Sequence, residues 1–292
     1  MFIEQLINGL TIGGMYALVA IGYTMVFGVL ELINFAHGSV YMLGSYITLI
    51  LFMNVIDNFW LAFACGIVLT GIVGYSIDFI GLRRLRAKNA PKIAALISTL
   101  GISTIIEQAV QITCGSDAKP YPQPISLESV HIFGVAIRWN KIIILITAII
   151  LMTILSLFVY RTKYGKGMQA VAQDGEASQL MGVPVKTIIT MTFMLGSALA
   201  AIAGTLAGTY YQTVDTGMGF FVGMTGLASA VLGGIGSIPG AMIGGIMFGV
   251  IETLGAVYIS SGYRNAISFI VIIFIILIKP NGLFGKMKID KV

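Results

Sequence analysis

"MYALVAIGYTMVFGVLELINFAHGSVYMLGSY", from Met15 to Tyr46, decides the fold class. Its first half is an unbroken apolar run, part of a stretch reaching from about Ile7 to Phe59. A membrane-spanning helix needs about 20 mostly apolar residues. The run therefore holds two such helices, divided where Glu31, Asn34, His37 and Gly38 interrupt it. The pattern predicts a first helix ending near Leu30–Leu32, a turn at "NFAHG" that re-enters the bundle, and a second helix opening with "SVYMLGSY". Asn is a good helix cap, and Gly takes backbone conformations that other residues resist. His37 is placed to bond freed backbone groups or to pair with Glu31, so this turn is a candidate gate or a plain structural cap.

The whole chain extends that reading. Of 292 residues 57% are hydrophobic and only 10% charged, against about 25% charged in a soluble domain. So few charges cannot cover a water-exposed surface, and lipid must be the main solvent. The apolar runs fall at roughly 7–30, 39–56, 59–80, 93–114, 142–160, 187–211, 223–236, 239–258 and 265–279, which gives about eight or nine crossings. Strands of alternating polarity are absent, which disfavours a β-barrel. The fold class is an all-α polytopic integral membrane protein in one domain over residues 1–292. "MFIEQLINGL" lacks a basic leader and a cleavage site, so it reads as the start of the first helix. Cys65 and Cys114 fit no metal or redox spacing.

Thirteen of the seventeen lysines and arginines gather in three places. Arg83, Arg84, Arg86, Lys88 and Lys92 form the first group. Arg161, Lys163, Lys166 and Lys186 form the second, and Lys279, Lys286, Lys288 and Lys291 the third. Even numbers of crossings separate them, so all three are expected on the cytoplasmic side, with the N-terminus and the loop of about 115–141 outside. The net charge of +5 is thus read as membrane topology and not as a nucleic-acid surface. "VHIFGVAIRW" in that outer loop suggests a short hairpin.

Glycine is frequent inside the apolar runs, where small residues let helices approach closely. "GGIGSIPG" (233–240) is different: four glycines and a proline in eight residues predict a broken helix, and irregular backbone at membrane depth is tolerated only inside protein or against a water-filled cavity. Gly236, Pro239 and Gly240 join Asn34, His37 and Gly38 as candidate gate residues, on the rule that paired interruptions in a transporter mark the substrate path.

No phosphate-binding G-x-x-x-x-G-K-[ST], no HExxH and no G-x-S-x-G occurs, so ATP, if used, acts on another chain. Three acids, Glu31, Glu107 and Glu252, fall within or at the ends of apolar runs, where an ionised group is costly. In "LISTLGISTIIEQAVQI", Thr99, Ser103, Glu107 and Gln111 recur every four residues on one slowly turning helix face, flanked by Thr104 and Gln108. Two readings fit this stripe: the lining of a translocation path, or a hydrogen-bonded seam between helices. The stretch Tyr160–Lys186 is too polar to span. Val171, Ala177, Leu180 and Met181 would form the apolar face of a short helix stopped by Gly182 and Pro184, docked on a partner or lying on the membrane surface.

Three separated stretches now carry a resemblance: "GMYALVAIGYTMVFGVLELINFAHGSVYMLGSY", "YGKGMQAVAQDGEASQLMGV" and "GGIGSIPGAMIGG". In the same order and across essentially the whole chain, they resemble the permease subunits of branched-chain amino acid ABC importers of the LivH type. The resemblance implies the ABC importer permease fold, the bacterial cytoplasmic (inner) membrane, and a multi-subunit assembly. Its partners would be a second, LivM-like permease, two ATPase subunits and an extracytoplasmic substrate-binding protein. No cofactor is expected on this chain, ATP being used by the partner subunits. Such permeases dock on the ATPase through a cytoplasmic loop with an E-A-A-x-x-x-G-like signature, which Glu176, Ala177, Ser178 and Gly182 match in part. The coupling segment is therefore expected within 161–186, as a helix over about 172–181 that includes Ala172, Glu176, Ala177, Leu180, Met181 and Gly182. Rival readings are a related importer of urea, short amides or other amino acids, a secondary transporter driven by protons or sodium, and a membrane scaffold.

Overall fold

A computed structural model describes residues 2–124, 130–132, 135–279 and 282–285. Helices dominate. They are α1 (Phe2–Leu30), α2 (Ala36–Asn54), α3 (Phe59–Ser76), α4 (Arg83–Ala87), α5 (Lys92–Cys114), α6 (Trp139–Arg161), α7 (Lys163–Gln173), α8 (Gly175–Leu180), α9 (Val185–Tyr211), α10 (Met218–Gly233), α11 (Ile238–Tyr258) and α12 (Arg264–Ile278). Among the described residues, seven helical stretches are long and apolar enough to span a bilayer: α1, α2, α3 continued through α4, α5, α6, α9 and α11. With the shorter α10 and α12, every apolar run of the sequence has its helix.

Local chemistry sets the helix starts. Asn58 Oδ1 accepts from the Trp60 amide at 2.9 Å to open α3, and Ser237 Oγ accepts from the Gly240 amide at 3.2 Å to open α11. Both side chains satisfy amides that have no partner inside the helix. Between α3 and α4 the backbone is π-helical over Ile77–Leu82. That widening turns Asp78 inward, and such bulges recur at functional positions.

α1 is the hub, buried on all sides from Thr11 to Val26. Its glycines and those of α11 let the two backbones nearly touch, a side chain on Gly245 meeting the Ala17 backbone and one on Gly249 meeting Gly13. α2 and α9 complete the centre, while α5 and α6 lie outside with much of their surface exposed.

The two loop systems beyond α5 and α9 turn inward. β1 (Lys119–Pro120) pairs antiparallel with β4 (Thr213–Val214), and Tyr121 Oη donates to the Ser45 carbonyl at 3.3 Å. Ser45 lies more than two turns before the end of α2 at Asn54, so this sheet sits inside the bundle end rather than above it. α10 then starts deeper still, with Gly219 against Gly38 and Met42 in the first two turns of α2. α10 is thus a short helix that begins within the bundle. Its bounds correct the expected run 223–236, because the chain is already helical at Met218 and breaks at Gly234. β2 (Val130–Ile132) and β3 (Val135–Ile137) form the expected hairpin.

Candidate functional site

At the α1–α2 turn Glu31 adopts a left-handed conformation (φ 52°) and its carboxylate meets Lys92 Nζ at 2.9 Å. The turn therefore lies at the same end of the molecule as the basic group 83–92. Asn34 is buried and accepts from the Ala36 amide at 3.1 Å. The expectation for the rest of this turn needs correction. The helix begins at Ala36, so His37 and Gly38 lie in its first turn. Glu31 swings outward to Lys92, and His37 faces the other way, edge-on to Tyr23 with ring centroids 4.6 Å apart and its Nε2 beside Gly22. Gly38 has no left-handed backbone. Its need is proximity: a side chain there would strike the Gly219 carbonyl and the Gly223 backbone of α10.

The stripe on α5 divides. Thr99 Oγ1 donates to the Leu96 carbonyl and accepts from the Phe35 amide at 3.3 Å. The hydroxyls of Ser103 and Ser39 are 2.7 Å apart, and Gln111 Nε2 donates to Thr216 Oγ1 at 3.3 Å. These three tie α5 to the α2 entry and to the loop before α10. Glu107 stands between them without a hydrogen bond or ion pair among the described residues, on the wall of a cleft of about 130 Å³. Tyr23, Gly38, Ser39, Ser103, Phe220 and Met224 line the same cleft. Thr104 and Gln108 point outward. Glu252 is buried on α11 and lies apart from this cleft.

At the basic end, the expected helix over 172–181 is split. Asp174 leaves α-helical conformation, ends α7 and caps α8 by accepting from the Ala177 amide at 2.9 Å. Ala172 therefore belongs to α7. The single apolar face is corrected too: Val171 is buried against the core, whereas Leu180 and Met181 are 88% and 84% exposed. Glu176 and Ala177 are also exposed. Gly182 (φ +84°) closes α8, its amide donating to the Gln179 carbonyl and that of Val183 to Ser178, both at 3.0 Å. That is the pattern of a glycine-terminated helix end.

Ala172 and Gly236 meet across a small cavity of about 60 Å³, walled also by Thr24, Gly28, Val159 and Gln169. The break at "GGIGSIPG" falls over 234–237, where Gly234 and Gly236 take positive φ values of 103° and 92°. Pro239 sits in the first turn of α11, and Gly240 abuts Gly233. The amides of Leu283 and Phe284 donate to the Leu232 and Gly233 carbonyls at 2.9 and 3.0 Å, so chain beyond α12 clasps this break.

One cluster escaped the sequence reading. Asp78, 1% exposed, holds Arg86 through one carboxylate oxygen and accepts from Thr190 Oγ1 through the other at 2.7 Å. It joins the π-helical turn, the basic loop and α9. The signal was a lone aspartate in "GYSIDFIGL", easily taken for the edge of the loop because the arginines follow so closely.

Residues 5–276 match the family model described as branched-chain amino acid transport system, permease component. The chain is 40% identical to the high-affinity branched-chain amino acid transport system permease protein BraD of Pseudomonas aeruginosa, over 100% of this chain and 98% of that one. It is 39% identical to LivH of Escherichia coli K12, with the same coverages. A probable branched-chain amino acid permease LivH from Methanocaldococcus jannaschii is 28% identical over 92% of this chain and 88% of its own. Among solved structures, PsaBC from Streptococcus pneumoniae in complex with Fab superposes with a TM-score of 0.51 at 12% identity, covering 96% of this chain and 92% of that one; at that identity the likeness speaks for the fold alone.

Proposed function

Since the chain belongs to the family of permease components of branched-chain amino acid transport systems, we propose that it is one of two permeases in an ATP-driven, binding-protein-dependent importer of leucine, isoleucine and valine. The observation that carries this reading is similarity over the full length to permeases named for that transport. The basic end lies in the cytoplasm by the positive-inside rule, and the membrane is the bacterial inner membrane. A second, LivM-like permease completes the path. Two ATPase subunits bind below, and an extracytoplasmic protein delivers the amino acid.

In this reading α8 is the coupling element. Leu180 and Met181 are large apolar side chains left exposed at its tip, and a groove on the ATPase would bury them. Closure of the ATPases displaces α7 and α8. α7 moves against the ends of α1 and α6 and against Gly236 across the shared cavity. α9, which follows Gly182 directly, carries Thr190 and pulls on Asp78 and Arg86. The bundle then alternates between outward and inward openings. Affinity for cargo resides mainly in the delivery protein.

Reconstitution tests this. Proteoliposomes holding both permeases, the ATPases and the binding protein should accumulate labelled leucine only with ATP. Accumulation driven by a proton or sodium gradient without ATP would replace the reading with a secondary transporter.

A further inference from the structure

The geometry points to the cleft between α2, α5 and α10 as a resting station for the transported amino acid, with Glu107 receiving its ammonium group and the Ser39–Ser103 pair its carboxylate. The inference rests on the amino acid permease reading and adds to it a site and an orientation.

Glu107 is the first ground. It lies well inside a spanning helix, where a carboxylate without a cation costs several kcal/mol on the order of magnitude of insertion scales. The acids near the basic end hold cations, Asp78 with Arg86 and Glu31 with Lys92. Glu107 has no such partner among the described residues, and it faces a cavity. A primary ammonium group carried by the cargo has the charge and the donors that this carboxylate lacks among the described residues.

The hydroxyl pair is the second ground. Ser39 and Ser103 have two O–H groups, and their mutual bond at 2.7 Å uses one. The other proton is available to a carboxylate oxygen. Ser103 and Glu107 are one helical turn apart, about 6 Å along α5, so the two ends of one α-amino acid reach both. α5 runs from the basic end at Lys92 to Cys114, which orients the cargo with its carboxylate toward the basic end and its ammonium away from it.

The walls supply the third ground. Leu100, Phe220, Met224 and Leu227 give an apolar surface for an aliphatic side chain. Gly38, Gly219 and Gly223 bring α2 and α10 so close that the floor is backbone. The cleft opens on the flank of α5 and α10, where Leu100, Phe220 and Met224 are themselves exposed.

The test uses the complete transporter of permeases and ATPases, with the free cysteines Cys65 and Cys114 changed to alanine and Met224→Cys as a reporter in the cleft. Leucine should slow labelling of that cysteine by a charged thiol reagent, and 4-methylpentanoate, which lacks the ammonium group, should not. Glu107→Gln should raise the half-protecting leucine concentration at least about tenfold, and Glu107→Asp should restore most of it. Equal protection in the Gln variant, or no protection of the parent by leucine or any other ammonium-bearing solute, overturns the site. Loss of the second permease from the purified Gln complex also overturns it, since Glu107 would then pair with a cation of that subunit. Protection by another ammonium-bearing solute but not by leucine keeps the site and overturns the proposed cargo.

Discussion

Replacing Gly182 isolates the coupling step from folding. Its φ of +84° is left-handed, and no atom lies within 4 Å of a side-chain carbon added there. A side-chain carbon there therefore meets no steric clash within this chain, and the first cost of a substitution is in backbone conformation. An L-residue in the left-handed region costs about 1–2 kcal/mol, less for Asn and more for a β-branched residue. Native stability is about 5–15 kcal/mol, so the bundle survives. The local equilibrium that holds the end of α8 closed shifts by about 5–30-fold, because the amides of Gly182 and Val183 no longer reach Gln179 and Ser178 together. Leu180 and Met181 then lose their fixed presentation. The expected order of ATP-driven leucine uptake is Gly182→Asn, close to the parent, then Gly182→Ala, then Gly182→Val, reduced tenfold or more. Membrane content and thermal unfolding in detergent should stay nearly level across the three. ATPase stimulation by the loaded binding protein should fall in the same order as uptake. Full uptake by the Val variant would refute the assignment of α8 as the coupling element.

Three further outcomes follow from the same geometry. Asp78→Ala leaves Arg86 without its carboxylate and Thr190 without its acceptor; since Arg86 retains some exposure, the loss should be about 2 kcal/mol, below the 3–5 of a fully buried broken pair, read as a lower midpoint in thermal unfolding. Gly38→Val forces apart α2 and α10 and should cost about 1–3 kcal/mol or more by overpacking, with a matching drop in folded yield. Burial pushes the Tyr121 phenol up to about 12. A group whose folded pKa is raised contributes stability that is complete below its unfolded value near 10 and is lost as pH climbs toward 12; Tyr121→Phe should flatten that alkaline fall in a pH series of unfolding midpoints.

Much of the fold was legible because lipid imposes a simple rule on sequence. Long apolar runs gave the spanning helices, and "GGIGSIPG" announced its own break. The α1–α2 interruption was visible, but the partners of Glu31 and His37 were not, since Lys92 is distant in sequence and reaches Glu31 only through the return of α5. The four-residue stripe on α5 was found by periodicity. Periodicity cannot say which members are satisfied, and only the packing of Ser39 and Thr216 against it separates Glu107 from its neighbours. The helix break at Asp174 was hidden for a related reason: aspartate serves equally as a surface residue of one helix and as the cap of the next. α10 starts inside the bundle because glycines at 38, 219 and 223 permit contact, which no local pattern in α10 reveals.

The proposed cargo stands or falls on uptake of labelled leucine, isoleucine, valine and urea by intact cells, with this gene deleted and then restored. Uptake of all three branched-chain amino acids should be lost on deletion and recovered on restoration, with urea unchanged. Unchanged branched-chain uptake with lost urea uptake would contradict the proposed cargo while leaving the permease architecture in place.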